Sequence, residues 1–440
     1  MAQVSASAAE ARFLTGLNGN PVMQRLLIEN ANVFDGYRDE LLEGLHLLIE
    51  DGVITGVSDA PVRSPSTTRI DASGATVMPG LIDAHVHVTD WGASPAELRN
   101  TPSSLTALRA ARSLNNMLHR GFTTVRDACG ADFGLAVAIE DGLIEAPRLY
   151  FVGQALSATG GHGDFRDPGD DTRDDPCGCS ARGLSLVVDG ETEVRRAARN
   201  ELRKGAHAIK IMASGGVASP TDPIANLQFS EREMRAIVEE ARFWGRYVMA
   251  HAYTAEAIGR CLECGVRSIE HGNLIDREAA ELAASLDAFV VPTLVTYQAM
   301  EERGEEIGMS RVSLDKLRDV RKAGLQSLEY LKEARVKTGF GTDLFGDLQS
   351  EQARELSIRA EVESNVEVLR SATSVNAELL QMKGRLGCIR EGALADLLIV
   401  DGNPLEDLGK LQQGARYITH IIKGGRVVGG SASGVSPAAG

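Results

Sequence analysis

Apolar residues recur in short runs along this chain, and what separates the runs divides it into three regions. From 25 to 80, RLLIENANVF (25–34), LHLLIEDGVITGV (45–57) and TRIDASGATVMPG (68–80) alternate apolar and polar positions between turns, the texture of short β-strands. Asp51-Gly52 between two such runs is a hairpin signal. Near the other end, ALADLLIVDGNP (393–404) and YITHIIKGGRVVG (417–429) carry the same texture. Each end has too few strands to bury its own apolar face. The two ends, 25–80 and 385–430, are therefore expected to join in one small β-sandwich.

Between them, over 81–384, apolar runs alternate with helical stretches. The runs are LIDAHVH (81–87), TTVRDA (123–128), RLYFVG (148–153), AIKIMA (208–213), YVMAHA (247–252), SIEHG (268–272), FVVPTL (289–294) and KTGFGTD (337–343). SEREMRAIVEEARFWG and DREAAELAASL are typical of the intervening helices, the first opening on a capping box of Ser230 and Glu233. Eight strands with crossover helices predict an α/β fold, a (β/α)8 TIM barrel. No glycine fingerprint follows the first strand, which weighs against an open doubly wound sheet. The segment 154–186, rich in Gly, Asp and Pro, reads as a functional loop. Residues 1–24 read as an N-terminal arm and 431–440 as a flexible tail.

Composition narrows the classes of partner. A net charge of −15 disfavours nucleic acid and anionic membrane surfaces. No apolar run is long enough to span a bilayer, and the first twenty residues lack a secretory pattern. Six cysteines in 440 residues fit a reducing compartment, so a cytoplasmic protein is expected. Cys177-Gly178-Cys179 and the Cys261/Cys264 pair have no second pair at zinc-like spacing and are read as structural. The acidic run 164–175 reads as a solvated loop or a lid.

Six ionisable residues fall at or near the C-terminal ends of predicted strands, the face where barrels build active sites. His85 and His87 are two apart on one strand, so both imidazoles face the same way and can share a cation. His251 and His271 each stand where an apolar run gives way to a turn. Either alone fits a hydrogen-bonded core histidine; with four of nine histidines on one predicted face, metal ligation is the stronger reading. Lys210 sits inside AIKIMA, a run that should be buried. It either reaches solvent or an acid, or burial leaves its amine neutral and nucleophilic toward carbon dioxide, giving a carbamate able to bridge two cations. Asp343 in GFGTD either caps the next helix or accepts a proton from metal-activated water.

Taken together, PGLIDAHVH, Lys210, His251, His271 and the GTD ending at Asp343 resemble the amidohydrolase superfamily of metal-dependent hydrolases over nearly the whole chain. The resemblance implies two divalent ions, zinc being the expected metal, with His85, His87 and Asp343 on one and His251 and His271 on the other. It implies carbamylated Lys210 (N6-carboxylysine) as the bridge. GGHGD (160–164), KIMASGGVASPTDP (210–223), HAYT (251–254) and IEHGN (269–273) are similar to the branch of Xaa-Pro dipeptidases and imidazolonepropionase-like carboxypeptidases. More narrowly, the chain resembles bacterial amidohydrolases that cleave ochratoxin A into phenylalanine and an isocoumarin acid. The resemblance further implies a homo-oligomer, with an octamer as one form.

The branch resemblance points to His162 and Tyr253 on the substrate side. Tyr253, two positions beyond His251, would hold the substrate carboxylate, and His162 the carbonyl oxygen or developing oxyanion. Gly215 and Gly216 would give close backbone approach, and Val217 would shape a pocket for an apolar side chain. The expected activity is cleavage of a small-molecule amide, an N-acyl amino acid or dipeptide with a hydrophobic C-terminal residue. The alternatives are opening or deamination of a cyclic amide, and a non-catalytic scaffold. The presence of all six expected ligands counts against the last.

Overall fold

The computed structural model describes residues 25–63, 67–92, 95–166, 183–217, 219 and 222–432. The N-terminal arm, most of the acidic run, Cys177-Gly178-Cys179 and residues 433–440 lie outside them. The chain opens with β1 (Arg25–Val33), β2 (Leu42–Glu50), β3 (Val53–Ser58), β4 (Thr68–Asp71) and β5 (Thr76–Pro79). Then come β6 (Leu81–Val86), β7 (Phe122–Asp127), β8 (Arg148–Phe151), β9 (Ala155–Ser157), β10 (Ser185–Val187), β11 (Ala208–Met212), β12 (Tyr247–Thr254), β13 (Ser268–Leu274), β14 (Phe289–Val291) and β15 (Lys337–Thr338). It closes with β16 (Leu397–Val400), β17 (Ile418–Lys423) and β18 (Arg426–Gly429).

The two chain ends meet. β5 pairs with β1 on one edge and with β16 on the other, so the ends join edge to edge in one eight-stranded sheet. The run Leu397–Val400 is buried on both sides: Leu397 and Ile399 face a cluster with Ile28, Leu47 and Val77. Leu398 and Val400 face Leu81, Leu114 and Phe122 of the central region. Burial on both sides explains a continuous apolar run where a one-sided strand would alternate.

All eight predicted central runs are strands, and all pair in parallel. β6-β7-β8 form one sheet and β10-β9-β11-β12-β13-β14-β15 another. β9 and β10, at the two ends of the segment read as a loop, are three residues each, too short to show a period. Side chains alternate as the pleat requires. Ile209, Ile211, Val248 and Ala250 face the helices, while Ala208, Met212, Tyr247 and Met249 face an interior shared with Ala84, Ala128 and Val152 of the first sheet. Lys210 and His251 lie on that inward side, two residues from Met212 and Met249. The Ser230–Glu233 capping box forms as expected. Among the described residues, no helix is long and apolar enough to cross a membrane.

Candidate metal centre

The strand ends bring His85, His87 and Asp343 together, with one potential ligand atom from each lying within 4.8 Å of the others. His87 Nε2 is 2.9 Å from Asp343 Oδ1, and His85 Nε2 is 3.3 Å from the same oxygen. The backbone beyond β15 makes this possible. Asp343 adopts a left-handed φ of +55°, and its N–H donates to His85 O at 2.8 Å. Gly341 allows the approach: a Cβ there would stand 2.4 Å from Val291 Cγ1 and 2.8 Å from His85 Cβ.

His251 and His271 stand beside this group. Their ring centroids are 4.6 Å apart, and His271 is 5.0 Å from His85. Neighbouring strands set the spacing, since Met212 pairs with His251 and Ala252 with His271. His271 has φ +73° and its neighbour Thr293 +48°, so with Asp343 three non-glycine residues in the left-handed region meet at one site, a concentration typical of functional centres. Lys210 is 1% exposed and makes no ion pair or hydrogen bond among the described residues.

Electrostatics separates these groups. Burial alone would raise the Asp343 carboxyl, but His85, His87 and His271 hold it well below the usual carboxylate range. Burial drives His251 and His271 well below the usual imidazole range, which leaves them neutral, the state that ligates metal. Burial likewise lowers the Lys210 ammonium, against a partial pull upward from Glu270.

Several residues that support the ligands escaped the sequence reading. Glu270 Oε2 accepts from His85 Nδ1 at 2.7 Å, and both Glu270 oxygens accept from fully buried Arg126 at 2.9 and 3.0 Å. Arg126 and His85 keep the Glu270 carboxyl ionised despite burial. Holding one ring nitrogen from behind turns the other toward the site. Asp83 Oδ2 accepts from Thr342 Oγ1 (2.7 Å) and Gln352 Nε2 (2.9 Å), tying β6 to the residue before Asp343. His87 Nδ1 lies 3.4 Å from Cys129 Sγ. The available signal was charge inside apolar strands: Asp83 in LIDAHVH, Arg126 in TTVRDA and Glu270 in SIEHG.

The substrate-side candidates lie close by. His162 stacks on His251, with centroids 4.3 Å apart at 15°, and its Nδ1 is 3.0 Å from Asp222 Oδ2. Tyr253 stacks on His271 at 5.1 Å and 11°. Its hydroxyl is 2.8 Å from the Tyr297 hydroxyl, which in turn lies 3.1 Å from His271 Nδ1. Gly216 leaves room for protein: a Cβ there would sit 2.2 Å from His162 Cε1. Gly215 backs onto Pro223 O, and its carbonyl is 3.2 Å from His251 Nε2. Val217 joins an apolar cluster with Tyr253, Leu294, Tyr297 and Leu317. Cys261 and Cys264 are buried, free thiols away from this site.

The donor set fits divalent metal. His85 Nε2 is buried without a hydrogen-bond partner, and imidazoles and a carboxylate converge on one small volume. Residues 76–428 match the amidohydrolase family. An ochratoxinase of Aspergillus niger is 33% identical over 408 residues, covering 89% of this chain and 84% of that protein. Its crystal structure superposes with a TM-score of 0.83 at 31% identity, covering 94% of this chain and 97% of that one. The crystal structure of a prolidase complexed with N-methylphosphonate-L-proline gives a TM-score of 0.90 at 50% identity, over 92% of this chain and 99% of that one. Another, of an amidohydrolase, gives 0.89 at 51% identity, over 92% and 98%. With its histidine–aspartate cluster and a match spanning most of its length, the chain belongs to the amidohydrolase family and is a hydrolase.

Proposed function

We propose that the chain is a binuclear metal-dependent amidase that releases a hydrophobic C-terminal amino acid from an N-acyl amino acid or dipeptide, ochratoxin A among its substrates. The observation that carries this is the convergence of His85, His87, His251, His271 and Asp343 beside buried Lys210. The ochratoxinase and prolidase relatives support the substrate class, since both kinds of substrate join an acyl group to a carboxylate-bearing residue by an amide. A closed (β/α)8 barrel is the frame we infer. Its support is the interior cluster common to both parallel sheets and the bonds Ala84 N–Phe340 O (2.9 Å) and His207 N–Phe151 O (2.8 Å) at the seams.

His85, His87 and Asp343 would hold one ion, His251 and His271 the other, with carbamylated Lys210 between them. Two divalent cations, zinc by the character of the donors, would supply Lewis acidity to the carbonyl and lower the pKa of water toward neutrality. Asp343, at 20% side-chain exposure the most open of the ligands, takes the proton of the attacking water and passes it to the leaving amine. His162 has Nδ1 committed to Asp222, so Nε2 is the nitrogen left for the carbonyl oxygen. If His271 Nδ1–H donates to Tyr297 and Tyr297 to Tyr253, the Tyr253 proton is left for the substrate carboxylate. Gly215 and Gly216 give their room to Pro223 and His162 and not to substrate, and Val217 with Leu294 and Leu317 forms the wall for the released side chain.

The test is a substrate panel assayed before and after chelation: N-acyl-phenylalanines, Xaa-Pro dipeptides, ochratoxin A and cyclic imides. Cleavage of the first three classes, lost on chelation and regained with zinc, is expected. Turnover confined to cyclic imides would overturn the proposal.

A further inference from the structure

Lys316, on the helix Arg311–Glu333, belongs to none of the groups described so far, yet its ammonium has a built site. Nζ donates to three backbone carbonyls that follow β11 in the chain: Gly216 O at 3.0 Å, Ser219 O at 2.7 Å and Asp222 O at 2.6 Å. A protonated amine has three N–H donors, and here each has one acceptor. The next residue, Leu317, anchors the helix in the apolar cluster of Val217, Tyr253 and Tyr297, so the base of the lysine stem is fixed.

The backbone so held carries the support of His162. Asp222 Oδ2 accepts from Gly216 N at 3.1 Å and stands 3.0 Å from His162 Nδ1. The ring also lies where a Cβ on Gly216 would fall, so this backbone fixes its edge as well as its hydrogen bond. His162 has no other anchor for the ring among the described residues except its stacking on His251. Releasing the carbonyls of Gly216 and Asp222 would free both the carboxylate that orients the ring and the backbone against which it packs.

We propose that Lys316 is a positioning residue: by clasping the carbonyls of Gly216, Ser219 and Asp222 it locks Asp222 against His162 and aims His162 at the substrate carbonyl. This rests on the role given to His162 above. The three carbonyls form a small cation site that the lysine fills from its own chain, so a free alkylammonium can occupy it once the side chain is gone.

The test compares Lys316→Met, Lys316→Ala and His162→Asn with wild type, on an N-acyl-phenylalanine, with metal content measured for each. Lys316→Met, which keeps the stem but removes the donors, lowers kcat by about 10²-fold, as expected for misplacing a group that touches substrate, and leaves metal content unchanged. Lys316→Ala loses as much, and n-propylammonium, replacing the three carbons and nitrogen removed, restores turnover saturably; an amine of the wrong shape such as tert-butylammonium does not. A purely structural role would lower Tm in both variants with wild-type kcat per folded enzyme and no amine rescue, and would overturn the proposal. Should neither Lys316 variant fold while Asp222→Asn does, the clasp holds the fold and not the ring, which also overturns it. His162→Asn with wild-type kcat would instead remove the reading of His162; His162→Asn impaired with Lys316→Met unimpaired removes only the clasp.

Discussion

His85 and His87 each bring a ring nitrogen within 3.3 Å of the Asp343 carboxylate, whereas among the described residues no carboxylate comes that close to His251, His271 or Lys210, the nearest being Asp343 Oδ2 at 3.8 Å from His271 Nδ1. In the first corner, imidazoles hold Asp343 ionised, and Glu270 reaches His85 from behind. In the second, neutral groups touch the rings: the Gly215 carbonyl, Thr293 and Tyr297. Burial lowers the proton affinity of all three basic groups. Neutral imidazoles can ligate a cation but contribute no negative charge to offset it. On the proposed function this is the place of Lys210, whose amine, once deprotonated, would take up carbon dioxide and supply this corner with a carboxylate of its own.

Lys210→Ala breaks that comparison most severely. On the proposed function it removes the bridging carbamate, so activity should fall by at least roughly 10³-fold, with a matching loss of bound metal, read by steady-state kinetics and elemental analysis. Asp343→Asn acts on the other corner. Loss of the proton carrier should cost roughly 10²–10⁴ in kcat, with far less loss of metal than of rate. Equal loss of both would contradict the shuttle.

Supporting residues sharpen the contrast at smaller scale. Glu270→Gln leaves Arg126 buried without its counter-charge and frees His85, so a loss of 10- to 100-fold in activity is expected, about as for other groups that orient a ligand. The same change should destabilise the fold by about 3–5 kcal/mol, measured by denaturant titration. In the second corner, Tyr297→Phe removes a hydroxyl bonded to neutral partners, so its expected cost is smaller, about 1–3 kcal/mol of stability, with KM for a carboxylate-bearing substrate raised as Tyr253 loses its partner.

How much of this was legible in the sequence follows the same physics. The six ligand candidates could be found because charge or imidazole within an apolar strand is costly unless used, and each interrupts such a run. Strand pairing sets β11, β12 and β13 side by side with β15 one strand beyond, and the bond from Asp343 N to His85 O ties in the run of β6 from the other sheet. Asp222, Tyr297 and Lys316 were not found, because each sits in a loop or helix where a polar residue is ordinary, and only the fold carries it to the site. The edge-to-edge union of the chain ends was hidden for a related reason. Short alternating strands report that one face is buried, not which strand they adjoin, and β5 joins two partners through its backbone alone.

An effect on stability alone concerns Glu355, behind the helix Leu294–Arg303 that carries Tyr297. Its Oε2 accepts from Val295 N at 2.6 Å, and burial pushes its carboxyl up to about 8 from an ordinary 4.5. Between those values the folded state holds a proton that the unfolded state has released. Stability therefore falls as pH rises through this window, by at most about 1.4 kcal/mol per pH unit from this group. Glu355→Gln should flatten that part of the Tm–pH profile, and an unchanged slope would assign the dependence elsewhere.

On the proposed function the two corners each hold a divalent ion, so metal content per chain is decisive. Elemental analysis of enzyme purified with bicarbonate and zinc should give two ions per chain in wild type and fewer in Lys210→Ala. Less than one ion per wild-type chain under those conditions would contradict it.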